Sequence, residues 1–230
     1  MPVAPSPIAF HSGATDPRVL TTGEIADIGG QFAATARMAR EAGFKVAEIH
    51  AAHGYLLHSF LSPIANHRND TYGGDLDGRS RFLSEAIDAV RAEWPADLPL
   101  FVRLSCVDYL PGGLTIEDTV TLCRKLATRG DVDLIDCSSG GISPDVRIPT
   151  HPGYQVPFAD TVKHCAGIAT GAVGLITEPT HAAEIVANKR ADLVFAARVL
   201  LADPAWPLRA AKALGVKPEL PPPYWRATLA

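Results

Sequence analysis

Apolar and polar positions along this chain follow two rhythms. Short runs dense in β-branched and large apolar residues recur at 45–50, 100–105, 132–137, 168–173 and 192–196, and each reads as a strand. Between them lie longer amphipathic stretches with helical spacing. The first predicted helix starts after Thr21-Thr22, has Glu24 in its first turn and stops at Gly43. Others are expected near 76–94, at 116–129 behind Thr115, near 156–165, at 178–188 and at 203–214. Two segments fit neither rhythm, residues 51–75 and the Gly- and Pro-rich 138–153, and both read as loops. Five strands, each followed by a helix and spaced by roughly 30 to 50 residues, describe a parallel α/β protein.

Composition narrows the class without changing the fold. The 230 residues are 47% hydrophobic and 20% charged, which is ordinary for a folded domain. A net charge of -4 argues against a nucleic-acid surface. No apolar run approaches the ~20 residues that span a bilayer. Residues 1–12 lack the basic and apolar regions of a secretion signal. Cys106, Cys123, Cys137 and Cys165 form no CxxC pair, so a reduced, cytoplasmic protein is expected.

Alternation alone allows an open doubly wound sheet or a (β/α)8 barrel. No Gly-rich fingerprint follows the first strand, which disfavours a dinucleotide Rossmann site. Polar residues gather instead at the C-terminal ends of several strands: His50, His53, Ser105, Ser138, Gly174 and Arg198. Barrel enzymes build their sites at that face, although a closed barrel needs eight strands and this chain supplies five.

The densest chemistry lies in residues 48–55. Strand alternation puts Val46, Glu48 and His50 on one face, and a helical turn after the strand brings His53 to the same side. Two imidazoles so placed can donate to one oxygen, and Tyr55 can supply a proton. Structural histidines and a metal pair remain open; a zinc site would need a third ligand, with His58 and Glu48 nearby. Arg103 stands in an apolar strand, either paired with Glu48 across neighbouring strands or facing an anionic ligand such as the N1–C2=O edge of a reduced flavin. Gly174 and Arg198, closing the last two strands, suit a phosphate.

Together these segments resemble the old yellow enzymes, in particular their thermophile-type bacterial branch. The likeness rests on EIHAAHGYLLHSFLSP from Glu48, on Asn66, Arg68, Asp70 and Tyr72-Gly73-Gly74, and on Arg79-Ser80-Arg81-Phe82. VRLS, CSSGG, PGYQVPFA, VGLIT and ARVLLADP extend it over nearly the whole chain. The resemblance implies FMN as cofactor, NAD(P)H as reductant, and an α,β-unsaturated carbonyl or nitro compound as substrate. It assigns the substrate oxygen to His50 and His53, proton donation to Tyr55, the isoalloxazine edge to Arg103, and the phosphate to Gly174, Ala197 and Arg198. Tyr224 and Arg226 resemble a tail that reaches a neighbouring subunit. Residues 1–217 are then the C-terminal part of a flavin barrel, equivalent to strands four to eight, and 218–230 a Pro-rich tail. Ala197 replaces a usual Gly, and Gly78 a usual Asn. The expected partners are a homo-oligomer or a complementing N-terminal chain. The alternatives are a non-catalytic remnant that self-associates and, more distantly, a phosphate-binding barrel lyase.

Overall fold

Capping chemistry sets the borders of the helices that the apolar rhythm outlines. The computed structural model describes residues 1–218 and 220–224. Two short strands, β1 (Val3–Ala4) and β2 (Arg18–Val19), pair in parallel ahead of α1 (Thr22–Glu41). Thr21 accepts from the Glu24 amide and Glu24 accepts from the Thr21 amide, a reciprocal cap that starts α1 where its apolar face begins. After β3 (Ala47–Ala51) come α2 (Leu56–Leu61) and α3 (Leu76–Arg91), the latter capped by Asp75. β4 (Leu100–Ser105) leads to α4 (Ile116–Arg129), held by a second reciprocal cap between Thr115 and Asp118. β5 (Leu134–Ser138), α5 (Val156–Ala166), β6 (Ala169–Ala172), α6 (Pro179–Ala187) and β7 (Leu193–Val194) follow. The described chain ends with α7 (Arg198–Ala202), α8 (Trp206–Ala213) and a 3-10 turn, Pro222–Tyr224.

β3 to β7 form one parallel sheet in strict chain order, with helices in the connections. The connecting helices pack against the outer face of the sheet, which is an arc of a (β/α)8 barrel. Register divides it into two surfaces. Ile49, Ala51, Leu100, Val102, Leu104, Ile135, Cys137 and Ala172 are buried on the outer face, under a helix layer that includes Phe82, Ile87, Leu126 and Val162. Each leucine, isoleucine, valine or phenylalanine among them contributes about 1.5–3 kcal/mol by leaving water. The inner face carries Glu48, His50, Phe101, Arg103, Asp136 and Gly171, and much of it is open. Phe195 covers part of it, lying so close to Gly171 that a Cβ there would sit 2.0 Å from its ring.

Several elements differ from expectation. α2 lies inside the segment read as a loop, because its six residues are too few to show a helical period. β1 and β2 are two-residue pairs with no pattern to read. β7 spans two residues rather than five, and β5 starts at Leu134, just after Asp133, whose carboxylate accepts from the Leu100 amide. The helix expected over 203–214 is α8, which begins only at Trp206 with Pro207 in its first turn, and α7 is an additional short helix ahead of it. Among the described residues no helix is long and apolar enough to cross a membrane.

Candidate active site

The inner-face position at the end of β3 belongs to His50, whose register partner on β4 is Arg103, which in turn pairs with Asp136 on β5. Arg103 Nε lies 3.0 Å from Asp136 Oδ2. The ion pair expected with Glu48 therefore forms with Asp136: Glu48 is registered against Phe101, one inward position below. Burial pushes the Asp136 carboxyl up to about 7, with Glu48 adding to the shift and Arg103 opposing it. Glu48 is raised too, by its own burial against the pull of Arg103.

Beyond Ala51 the chain turns sharply. The Tyr55 amide donates to Ala52 O (3.2 Å), and both central residues, His53 (φ 59°) and Gly54 (φ 77°), are left-handed. The expected helical turn between the histidines is thus a β-turn, with α2 starting only at Leu56. It still brings the rings together: His50 lies 5.2 Å from His53 and 5.2 Å from Tyr55, centroid to centroid. The strained His53 backbone is held by its amide donating to Ser105 Oγ (2.9 Å), which donates to Gly140 O (2.8 Å). Next to it the Gly54 amide donates to His58 Nδ1 (2.8 Å), and His58 Nε2 faces Asp108 Oδ1 at 3.0 Å. Asp108 also accepts from Ser62 Oγ and the Leu114 amide, both at 2.7 Å. His58 is thus a brace for the turn, and among the described residues no group of three His, Cys, Asp or Glu is arranged to hold an ion.

Neither ring nitrogen of His50 has a hydrogen-bond partner among the described residues, and burial, then Arg103, lowers its pKa. The same causes, with His50 itself, bring His53 down to about 4, so both rings are neutral at pH 7. His53 Nε2 lies 2.6 Å from Ser138 Oγ, a contact not foreseen from sequence. Tyr55 is 64% exposed.

Two hollows meet at His53. One, about 910 Å³, runs along Tyr55, Leu56, Ile142 and the segment after β1 that carries Ile8 and Phe10. The other, about 400 Å³, runs from Arg103 past Ser138, Gln155 and Gly174 to Ala197 and Arg198. Gly174 has φ 126° and a Cβ there would crowd Tyr154 at 3.0 Å, so only glycine suits this rim. Ala197 has a negative φ of -120°, so no left-handed conformation demands glycine at this position. Arg198 is exposed and has no side-chain partner among the described residues. Tyr224 is exposed in the final turn, and Arg226 lies outside the described residues.

A barrel arc with the neutral His53 at one end of a groove and the exposed Arg198 guanidinium at the other suits a long ligand with an anionic end. The chain belongs to the NADH:flavin oxidoreductase / NADH oxidase family, whose profile matches residues 3–216. It is 52% identical over 224 residues to an NADPH dehydrogenase of Geobacillus thermodenitrificans, covering 97% of this chain and 65% of that one. An NADPH dehydrogenase of Halalkalibacterium halodurans is 48% identical, over 99% of this chain and 66% of its own length. The chain thus spans a little under two thirds of these relatives. Among solved structures, morphinone reductase in complex with tetrahydroNAD matches with a TM-score of 0.73 at 26% identity, covering 96% of this chain and 62% of that one. 2-Naphthoyl-CoA reductase matches with a TM-score of 0.85 at 29% identity, over 92% and 33%. These findings bear out the old yellow enzyme resemblance, the partial barrel, and FMN with NAD(P)H as the family's cofactor and reductant.

Proposed function

We propose that this chain forms the substrate side of an FMN-dependent NAD(P)H oxidoreductase that reduces C=C bonds of α,β-unsaturated carbonyl or nitro compounds. The observation that carries the reading is the clustering of the His50 ring with those of His53 and Tyr55, with His53 closing the end of a groove lined by Arg103, Gly174 and Arg198. The fit to FMN rests on that groove. Arg103 commits Nε to Asp136 and keeps its outer donors for a flavin edge, while Gly174, the Ala197 amide and Arg198 offer a phosphate seat. When bound, FMN supplies hydride transfer from NAD(P)H to the substrate's β-carbon. The protein's part is to bind, orient and protonate. Neutral His50 and His53 each offer one N–H to the substrate oxygen, drawing electron density toward it. Tyr55, free of those bonds, is the proton donor to the α-carbon.

Residues 1–217 would form the barrel portion and 218–230 a tail whose Tyr224 and Arg226 meet a neighbouring subunit. The partners would be a second copy or a chain supplying further strands. The absence of disulfides among the described cysteines favours a reducing, cytoplasmic setting. A second reading, a non-catalytic remnant, draws on the open inner face, where Leu193 is 44% exposed. Titration of the purified chain with FMN, followed by flavin fluorescence, separates the two. Uptake of FMN with NAD(P)H-dependent reduction of cyclohexenone supports the enzyme. A chain that binds no FMN and sediments as a self-associated species supports the remnant.

A further inference from the structure

We infer that Ser138 is a positioning residue that fixes His53 as the Nδ1–H tautomer. The inference deepens the proposed function, because only that tautomer leaves His53 a free N–H for a substrate oxygen. A neutral imidazole carries one proton, and whichever nitrogen lacks it can only accept. His53 has its Nε2 against Ser138 Oγ at 2.6 Å, and its Nδ1 has no hydrogen-bond partner among the described residues. If the proton sat on Nε2 it would be spent on Ser138, and a substrate carbonyl would meet a bare lone pair.

The surrounding bonds decide which way the Ser138 contact runs. Gln155 Nε2 donates to Val173 O (3.2 Å), which orients the amide with Oε1 toward the two serines. Ser139 Oγ donates to that Oε1 at 2.7 Å, and Tyr109 OH donates to Ser139 at 3.1 Å. Gln155 Oε1 thus already has a well-placed donor. Ser138 lies 3.3 Å from it but only 2.6 Å from His53 Nε2. A hydroxyl has one proton to give, and the shorter contact takes it. A separation this short also fits a hydroxyl donor better than an N–H, whose bonds to oxygen cluster at about 2.9–3.0 Å. Burial and the nearby Arg103 keep His53 from taking a second proton at neutral pH. Ser138 is itself buried at the end of β5, which leaves its hydroxyl few other orientations.

Long-range ¹H–¹⁵N correlation spectra of the labelled chain read the tautomer directly, with His53→Gln assigning the signals. The expected result is a His53 ring protonated at Nδ1. In Ser138→Ala the ring should move to a mixture or to the Nε2–H form, and Ser138→Thr, which keeps the hydroxyl, should restore it. In the FMN-loaded protein, phenol should bind Ser138→Ala about tenfold more weakly, the size of one hydrogen bond. A wild-type ring protonated at Nε2, or an unchanged ring in Ser138→Ala, would overturn the inference. An Nδ1–H ring in a protein that binds no phenol would support the role of Ser138 while removing the proposed function.

Discussion

The two faces of the five-stranded sheet are made from the same strands and obey opposite rules. On the outer face of β4, Leu100, Val102 and Leu104 are sealed under helices. On the inner face of the same strand, Phe101 and Arg103 stay half open, and Arg103 carries its charge among Glu48, His50 and Asp136. Alternation by single residues therefore separates stability from chemistry along one strand. The outer positions of β4 hold only fully buried apolar side chains. The inner ones hold groups whose ionisation is shifted by partial burial, a mark of functional sites.

Substitutions can break or sharpen this division. The largest effect is expected from Ile135→Ala on the outer face, which should cost about 2–5 kcal/mol in chemical denaturation because a fully buried side chain leaves a cavity. Arg103→Leu should change stability far less, since Asp136, already titrating near neutrality, can take up a proton when its partner goes. It should instead weaken FMN binding on the order of 10- to 100-fold in a fluorescence titration. A reversal of these two results would erase the division. Next in size, His50→Ala should weaken phenol binding about tenfold and leave FMN uptake intact. Loss of flavin instead would contradict its assignment to the substrate.

The smallest effect concerns acid. His53 falls from an ordinary 6.5 to about 4, so the folded state binds its proton less readily than the unfolded chain. Its contribution to stability is full above about pH 6.5 and lost as pH falls toward 4. His53→Gln should flatten that part of a melting-temperature profile by a small amount, because the ring is partly exposed.

Much of this was readable from residue order. Period-two alternation placed His50 inward with Glu48, and β-branched runs marked all five sheet strands. What failed depended on register or on strain. Arg103 has a carboxylate candidate on each neighbouring strand, and only the pairing of His50, Arg103 and Asp136 in one layer selects Asp136. A non-glycine left-handed residue such as His53 leaves no trace in hydrophobic pattern, so the turn was read as helical. Ser138 and Gln155 are 17 residues apart and meet only because α5 begins where the loop after β5 returns. The brace of His58 and Asp108 joins α2 to the loop after β4 and was equally hidden, although a buried His on a short helix is the kind of signal that invites a search for a distant carboxylate.

Gly54 and Gly141 meet backbone to backbone: a Cβ on the first would fall 2.1 Å from Gly141 O, and one on the second 2.6 Å from His53 Cα. For anyone diversifying this pocket, that contact makes the turn at 53–54 and the start of the loop after β5 a single heritable unit. Libraries that recombine one without the other would discard most members before selectivity is ever sampled, whereas Ile8 and Phe10, exposed on the wider hollow, can be varied independently.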